Sequence, residues 1–117
     1  MNKDLQIAKK TVQTEIQALK KLYNSFTNSS QFSRAVNLVI KTKGKVLVVG
    51  VGKSFIVGSK VSSTLSSLGT PSVAFNATDL QHGGSGAIQN KHDILLVFSV
   101  SGESSELDGI LRYANRN

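Results

Sequence analysis

With 117 residues, 39% of them hydrophobic, and a single proline, the chain is sized and composed for one globular core rather than a disordered tail. The absence of cysteine excludes a disulfide framework, a thiolate zinc site and a cysteine nucleophile together. A net charge of +7 suits nucleic acid, a membrane surface or a small phosphorylated ligand.

The longest apolar stretch, 46–51, falls far short of the roughly 18–20 residues of a membrane span. No charged start precedes an apolar signal core, so the chain is expected to be soluble, cytoplasmic and without a membrane partner. Residues 1–60 carry 11 Lys/Arg against 2 Asp/Glu, whereas 61–117 carry 3 against 5. The basic half therefore reads as solvated helix faces. Few aromatics lie among its lysines and no helix-turn-helix signature is found, so nucleic acid is not the expected partner.

Leu5, Ala8, Val12, Ile16, Leu19, Tyr23 and Phe26 recur every three or four positions and predict one buried face of a long helix starting near Lys3. The polar cluster Thr27-Asn28-Ser29-Ser30 breaks it. Ser30 can cap a second helix with Phe32, Ala35, Val36, Val39 and Ile40 inward, ended by Gly44. The β-branched run 45–49 has the unbroken apolar pattern of a central parallel strand.

After Gly50-Val51-Gly52-Lys53-Ser54, helical spacing returns at Val57, Val61, Leu65 and Leu68 until Gly69. A second strand is predicted over 71–75, a small-residue loop over 76–90 and a third strand over 94–98. The serine-rich turn Ser99-Val100-Ser101-Gly102-Glu103-Ser104 then enters a helix with Leu107, Ile110, Leu111 and Ala114 inward. This order indicates an α/β fold, a three-layer αβα sandwich around a parallel, flavodoxin-like sheet. Helices occupy 1–43 and an αβ core 44–117, all within one domain. Three strands are few for a doubly wound sheet, so the core is expected to be incomplete at its C terminus, as a fragment or a chain completed by a partner.

Ligands of open parallel sheets bind at the carboxyl ends of the strands, where loops enter helix N-termini. Two loops here are rich in suitable groups. Gly50 and Gly52 permit close backbone approach to a ligand, with Lys53 and Ser54 at the helix start. In the second loop Ser99, Ser101, Ser104 and Ser105, with Gly102, offer short neutral donors to an anion, beyond what one capping serine would need. The first loop is neither nucleotide motif: Leu47 stands where a P-loop needs glycine, and Phe55 where a Rossmann fingerprint needs a small residue.

His82, in a glycine-rich segment, has the titration range for proton exchange, whereas His92, next to Asp93, reads as incidental. Glu103 and Glu106 open the last helix, where a carboxylate opposes the helix dipole; their chemical alternative is proton abstraction beside a carbonyl.

The ordered set Val49-Gly50-Val51-Gly52-Lys53-Ser54, Gly69-Thr70-Pro71, His82-Gly83 and Ser99-Val100-Ser101-Gly102-Glu103-Ser104-Ser105-Glu106 resembles the SIS (sugar isomerase) family, in its arabinose 5-phosphate isomerase branch. The likeness runs from about Gly44 to Leu111. It implies interconversion of D-arabinose 5-phosphate and D-ribulose 5-phosphate for the Kdo sugar of lipopolysaccharide, with no organic cofactor, no metal and a homo-oligomeric state. It assigns function to Lys53, His82 and Glu106, and phosphate binding to Ser99, Ser101 and Ser104, joined by Ser105 and Ser54. Two departures stand out: Phe55-Ile56 replace the family's Gly-His, and Gly84-Ser85-Gly86 its Asp-Leu-Gly. A further histidine of the family falls beyond Asn117. A phosphosugar-binding module without turnover is the alternative reading.

Overall fold

The computed structural model describes residues 2–28, 30–89 and 91–117. The chain forms two compact units, Met1–Asn37 and Leu38–Asn117.

In the first unit, helix α1 spans Lys3–Ser25, and its start is fixed by Asn2, whose Oδ1 accepts from the Asp4 amide at 3.1 Å. A 3-10 turn, Phe26–Asn28, ends it, and α2, Ser30–Lys41, begins in the first unit and ends in the second. Ser30 is therefore the first residue of the helix, not its cap; the preceding Ser29 lies outside the described residues. Phe26 and Phe32 meet edge to face with centroids 5.0 Å apart, closing the turn. The predicted buried faces differ from the observed ones: neither α1 nor α2 has a buried residue. Their apolar periodicity marks an amphipathic face, but spacing alone does not say whether that face is covered.

The second unit carries β1 (Val46–Gly50), α3 (Lys53–Ser67), β2 (Ser72–Asn76), α4 (Ala77–Gln81), a 3-10 turn (Gly84–Ala87), β3 (Ile94–Phe98) and α5 (Ser105–Arg116). The three strands are parallel in the order β2-β1-β3. β1 is central as its sequence requires: Val46, Leu47, Val48 and Val49 are at most 2% exposed.

Successive β1 side chains face opposite layers. Val48 points at α3, where an added Cβ on Gly58 would stand 2.9 Å from Val48 Cγ1 and 3.5 Å from the Phe98 ring, so the missing side chain lets helix and sheet close together. Val49 points the other way, into a core with Ala77, Leu80, Leu107 and Ile110 of α4 and α5. The result is helix, sheet, helix: the predicted three-layer α/β architecture around a parallel sheet.

Residues 76–90 are more ordered than the predicted loop. Asn76 caps α4, its Oδ1 accepting from the Thr78 amide at 3.3 Å and from the Thr78 hydroxyl at 2.9 Å, and Ala77 and Leu80 are buried. One helical turn is too short for periodicity to reveal; Asn90 lies outside the described residues. In α5, Leu107 and Ile110 are buried as predicted, but Leu111 and Ala114 are exposed.

At the opposite end of the sheet from the glycine and serine loops, Asp93 ties β3 to β1. Its carboxylate accepts from Lys45 Nζ at 2.8 Å, the Lys45 amide at 2.9 Å and the Gln89 amide at 2.7 Å, with the side chain 2% exposed.

Candidate functional site

Parallel pairing puts the carboxyl ends of all three strands on one side, and Gly50 is in register with both Asn76 and Phe98. The chain leaves each strand there. After β1 it must turn at once into α3, and Gly50 makes this possible: a Cβ at that position would lie 2.7 Å from the Phe55 nitrogen and 2.8 Å from the Ser54 carbonyl carbon. Gly52 has open space around it, but its φ of 56° is left-handed, a region that glycine reaches without strain. Gly50 is thus required by packing and Gly52 by conformation. Together they set Lys53 and Ser54 as the first residues of α3; the Ser54 amide donates to the Val51 carbonyl at 3.1 Å, so what this helix start offers a ligand is the Lys53 and Ser54 side chains.

After β3 the loop 99–104 folds on its own serines. Ser99 Oγ accepts from the Gly102 amide at 2.9 Å, and Ser101 Oγ accepts from the Glu103 amide at 3.2 Å. Gly102 turns the chain with a φ of 74°. These bonds occupy two amides but only the acceptor side of two hydroxyls, so the Ser99 and Ser101 O–H groups remain able to donate. Ser104 caps α5 by position, yet its side chain makes no capping bond, which leaves that hydroxyl uncommitted too. Val100 stands fully in solvent at the loop tip.

Lys53, Ser54, Val57, Phe98, Ser99 and Val100 line one open cleft between the start of α3 and the end of β3. The structure therefore brings together the lysine, one hydroxyl of the glycine loop and the first hydroxyl of the serine loop. Val57 and Phe98, core positions by sequence pattern, form its apolar wall.

His82 and Glu106 belong to a neighbouring arrangement. His82 is exposed at the C-cap of α4. Glu106 is half-buried in the first turn of α5, where its Oε2 accepts from the Ser105 hydroxyl at 3.4 Å. The residue before His82 links the two: Gln81 Nε2 donates to the Glu106 carbonyl oxygen at 2.9 Å. No hydrogen bond or ion pair joins His82 or Glu106 to Lys53 among the described residues. The sequence does not single out Gln81, and its only signal there is adjacency to His82.

Three parallel strands flanked by helices, with glycine and serine loops at the strand ends, define an α/β domain, and the SIS domain family model matches residues 39–117. The chain belongs to the SIS domain family. It is 36% identical over 107 residues to arabinose 5-phosphate isomerase GutQ of Escherichia coli K12, covering 92% of this chain and 32% of that protein. To arabinose 5-phosphate isomerase KpsF of Escherichia coli O6:H1 it is 42% identical over 80 residues, 68% of this chain and 24% of the relative. The solved structure of c3406 from Escherichia coli CFT073, a complex with arabinose 5-phosphate, superposes with a TM-score of 0.86 at 29% identity, covering 99% of this chain and 61% of that one. The chain spans about a third of the length of the curated relatives it matches first.

Proposed function

We propose that the chain is the phosphosugar-binding and catalytic part of an aldose-ketose isomerase interconverting D-arabinose 5-phosphate and D-ribulose 5-phosphate, in the supply of Kdo for lipopolysaccharide in the bacterial cytoplasm. One domain, 1–117, would act within a homo-oligomer. The observation that carries this reading is the shared cleft of Lys53, Ser54 and Ser99, in a chain 36% identical to a named isomerase of that substrate.

The phosphate sits against the Ser99, Ser101 and Ser104 hydroxyls and the free amides opening α5, with Ser54 and Ser105 completing the donor set and Gly102 turning the loop around it. Such donors stabilise a dianion without competing for protons. Glu106 removes the C2 proton of the open-chain aldose and returns it to C1 through an enediol, a transfer that one carboxylate serves because the two carbons are adjacent. Lys53 neutralises the oxyanion formed as the proton leaves. His82 assists ring opening, approaching the sugar from the end of α4.

The test is direct. Incubated with arabinose 5-phosphate, the purified chain yields ribulose 5-phosphate, and it leaves glucose 6-phosphate and fructose 6-phosphate unchanged. A second reading, binding without turnover, draws on the separation of His82 and Glu106 from the Lys53 cleft; thermal stabilisation by arabinose 5-phosphate with no product formed would select it. Neither product nor stabilisation would discard both.

A further inference from the structure

We infer that the chain has a second anion site, at the end of the sheet opposite to the glycine and serine loops, which takes a short chain of phosphates. Two segments build it. Lys41, Thr42 and Lys43 lead from the end of α2 towards β1, Lys91, His92 and Asp93 lead into β3, and both line one open cleft of about 490 Å³. The segments are fastened to each other. The His92 carbonyl accepts from the Gly44 amide at 2.9 Å and from the Thr42 hydroxyl, and a Cβ on Gly44 would collide with that carbonyl and with the Asp93 carboxylate. The cleft is therefore shaped before a ligand arrives, which lowers the ordering cost of binding.

Its positive charge is uncompensated. Asp93 is the one carboxylate lining it, and Lys45 already holds that group at 2.8 Å. The sequence has no acidic residue between Glu15 and Asp79, and among the described residues no ion pair engages Lys41, Lys43 or Lys91. Lys41, in the last turn of α2, has a use against the helix dipole. Lys43 and Lys91 lie outside the helices and have none. Lys91 is held at a φ of 75°, a left-handed value that only glycines share among the described residues. Glycine would serve the backbone there without strain, so what lysine adds is the charge of its side chain.

Ammonium groups on flexible stems act as point charges and suit tetrahedral phosphate, whereas a planar carboxylate is best matched by the fork of an arginine, and no arginine lines the cleft. Three such charges exceed the two of a single phosphate and match a run of two or three. Nucleic acid fits less well: a strand is held by bases stacked on aromatic rings along its track, and His92 is the one ring lining this cleft.

The inference is independent of the isomerase reading, and either can fail alone. In titrations of the full chain with tripolyphosphate, Lys91→Gly should weaken binding about threefold and Lys43→Ala combined with Lys91→Gly about tenfold, the scale of exposed ion pairs. Lys91→Gly should melt no lower than the parent, because glycine relaxes that turn, so a loss of affinity is not a loss of fold. Amide resonances of Lys43, Gly44 and His92 should shift as tripolyphosphate is added. ATP separates the two sources of such a chain: affinity equal to that of tripolyphosphate shows that the phosphates alone are held, and tighter binding that a nucleoside is held with them. Absence of binding, shifts confined to residues 99–105, Lys20→Ala on α1 costing as much affinity as Lys91→Gly, or Lys91→Gly binding as tightly as the parent would each overturn the inference.

Discussion

Gln81 and Glu106 are joined by a side-chain amide donating to a main-chain carbonyl at 2.9 Å, which fastens the last residue of α4 to the first turn of α5. Beneath that bond, Ala77 and Leu80 pack with Leu107 and Ile110. His82 follows Gln81 directly, so the bond holds the two residues proposed for proton transfer in one frame. Gln81→Leu keeps the volume and removes the donor. It should cost about 0.5–1.5 kcal/mol and speed amide hydrogen exchange at Leu107, whose N–H bonds Ser104 O at 2.9 Å. Unchanged exchange would deny the bond any structural role.

Strand order and layering are legible in the chain because β1 is apolar at every position and the segments after it alternate between strand and helix spacing. That Gly50, Gly52 and the serine loop stand at strand ends is legible because glycine and serine are the residues of the turns and caps that take a strand into a helix. What stays hidden depends on three dimensions. The α4 turn is shorter than periodicity can register, Gln81 acts through an atom 25 residues away, and nothing in the sequence marks Asp93 until β3 pairs with β1 and sets it on Lys45. The α1 and α2 faces are apolar as their spacing predicts but not buried, since spacing carries no information about where a face finds its partner.

Two helical glycines should respond oppositely to alanine. At Gly109, in mid α5, an added Cβ meets nothing within 4 Å, so Gly109→Ala should stabilise by about 0.5–1 kcal/mol through helix propensity. At Gly58 the methyl would press on buried Val48, a stiff side chain, and on Phe98. Overpacking of about 1–3 kcal/mol there exceeds the same propensity gain, so Gly58→Ala should destabilise. Urea midpoints of the two variants on opposite sides of the parent's would bear this out; two shifts of one sign would contradict it.

Asp93 makes stability fall in acid. Burial alone pushes its carboxyl up, but the Lys45 side-chain hydrogen bond, the Lys45 and Gln89 amides and the Lys45 charge outweigh that and hold it below the usual carboxylate range. Because the folded value lies beneath the unfolded one of about 3.9, the contribution is fully present above that pH and disappears as pH drops through the folded value. Asp93→Asn should therefore cost about 1–3 kcal/mol at neutral pH, and the difference from the parent should shrink below pH 4. A constant difference from pH 7 to pH 2 would assign the loss to shape rather than charge.

The serines of the last loop should separate into two kinds. Ser99 Oγ already holds the Gly102 amide, so Ser99→Ala loosens the loop and should lower both stability and affinity for arabinose 5-phosphate. Ser104 occupies a cap position where serine to alanine ordinarily costs about 1 kcal/mol, yet its hydroxyl makes no capping bond here. Ser104→Ala should leave the melting temperature within about 2 °C of the parent while weakening the sugar phosphate roughly tenfold, one charge-assisted hydrogen bond. Isothermal titration beside a thermal melt reads both quantities. A Ser104→Ala chain that binds as well as the parent would remove that hydroxyl from the phosphate site, and one that melts markedly lower would show a capping bond forming in solution.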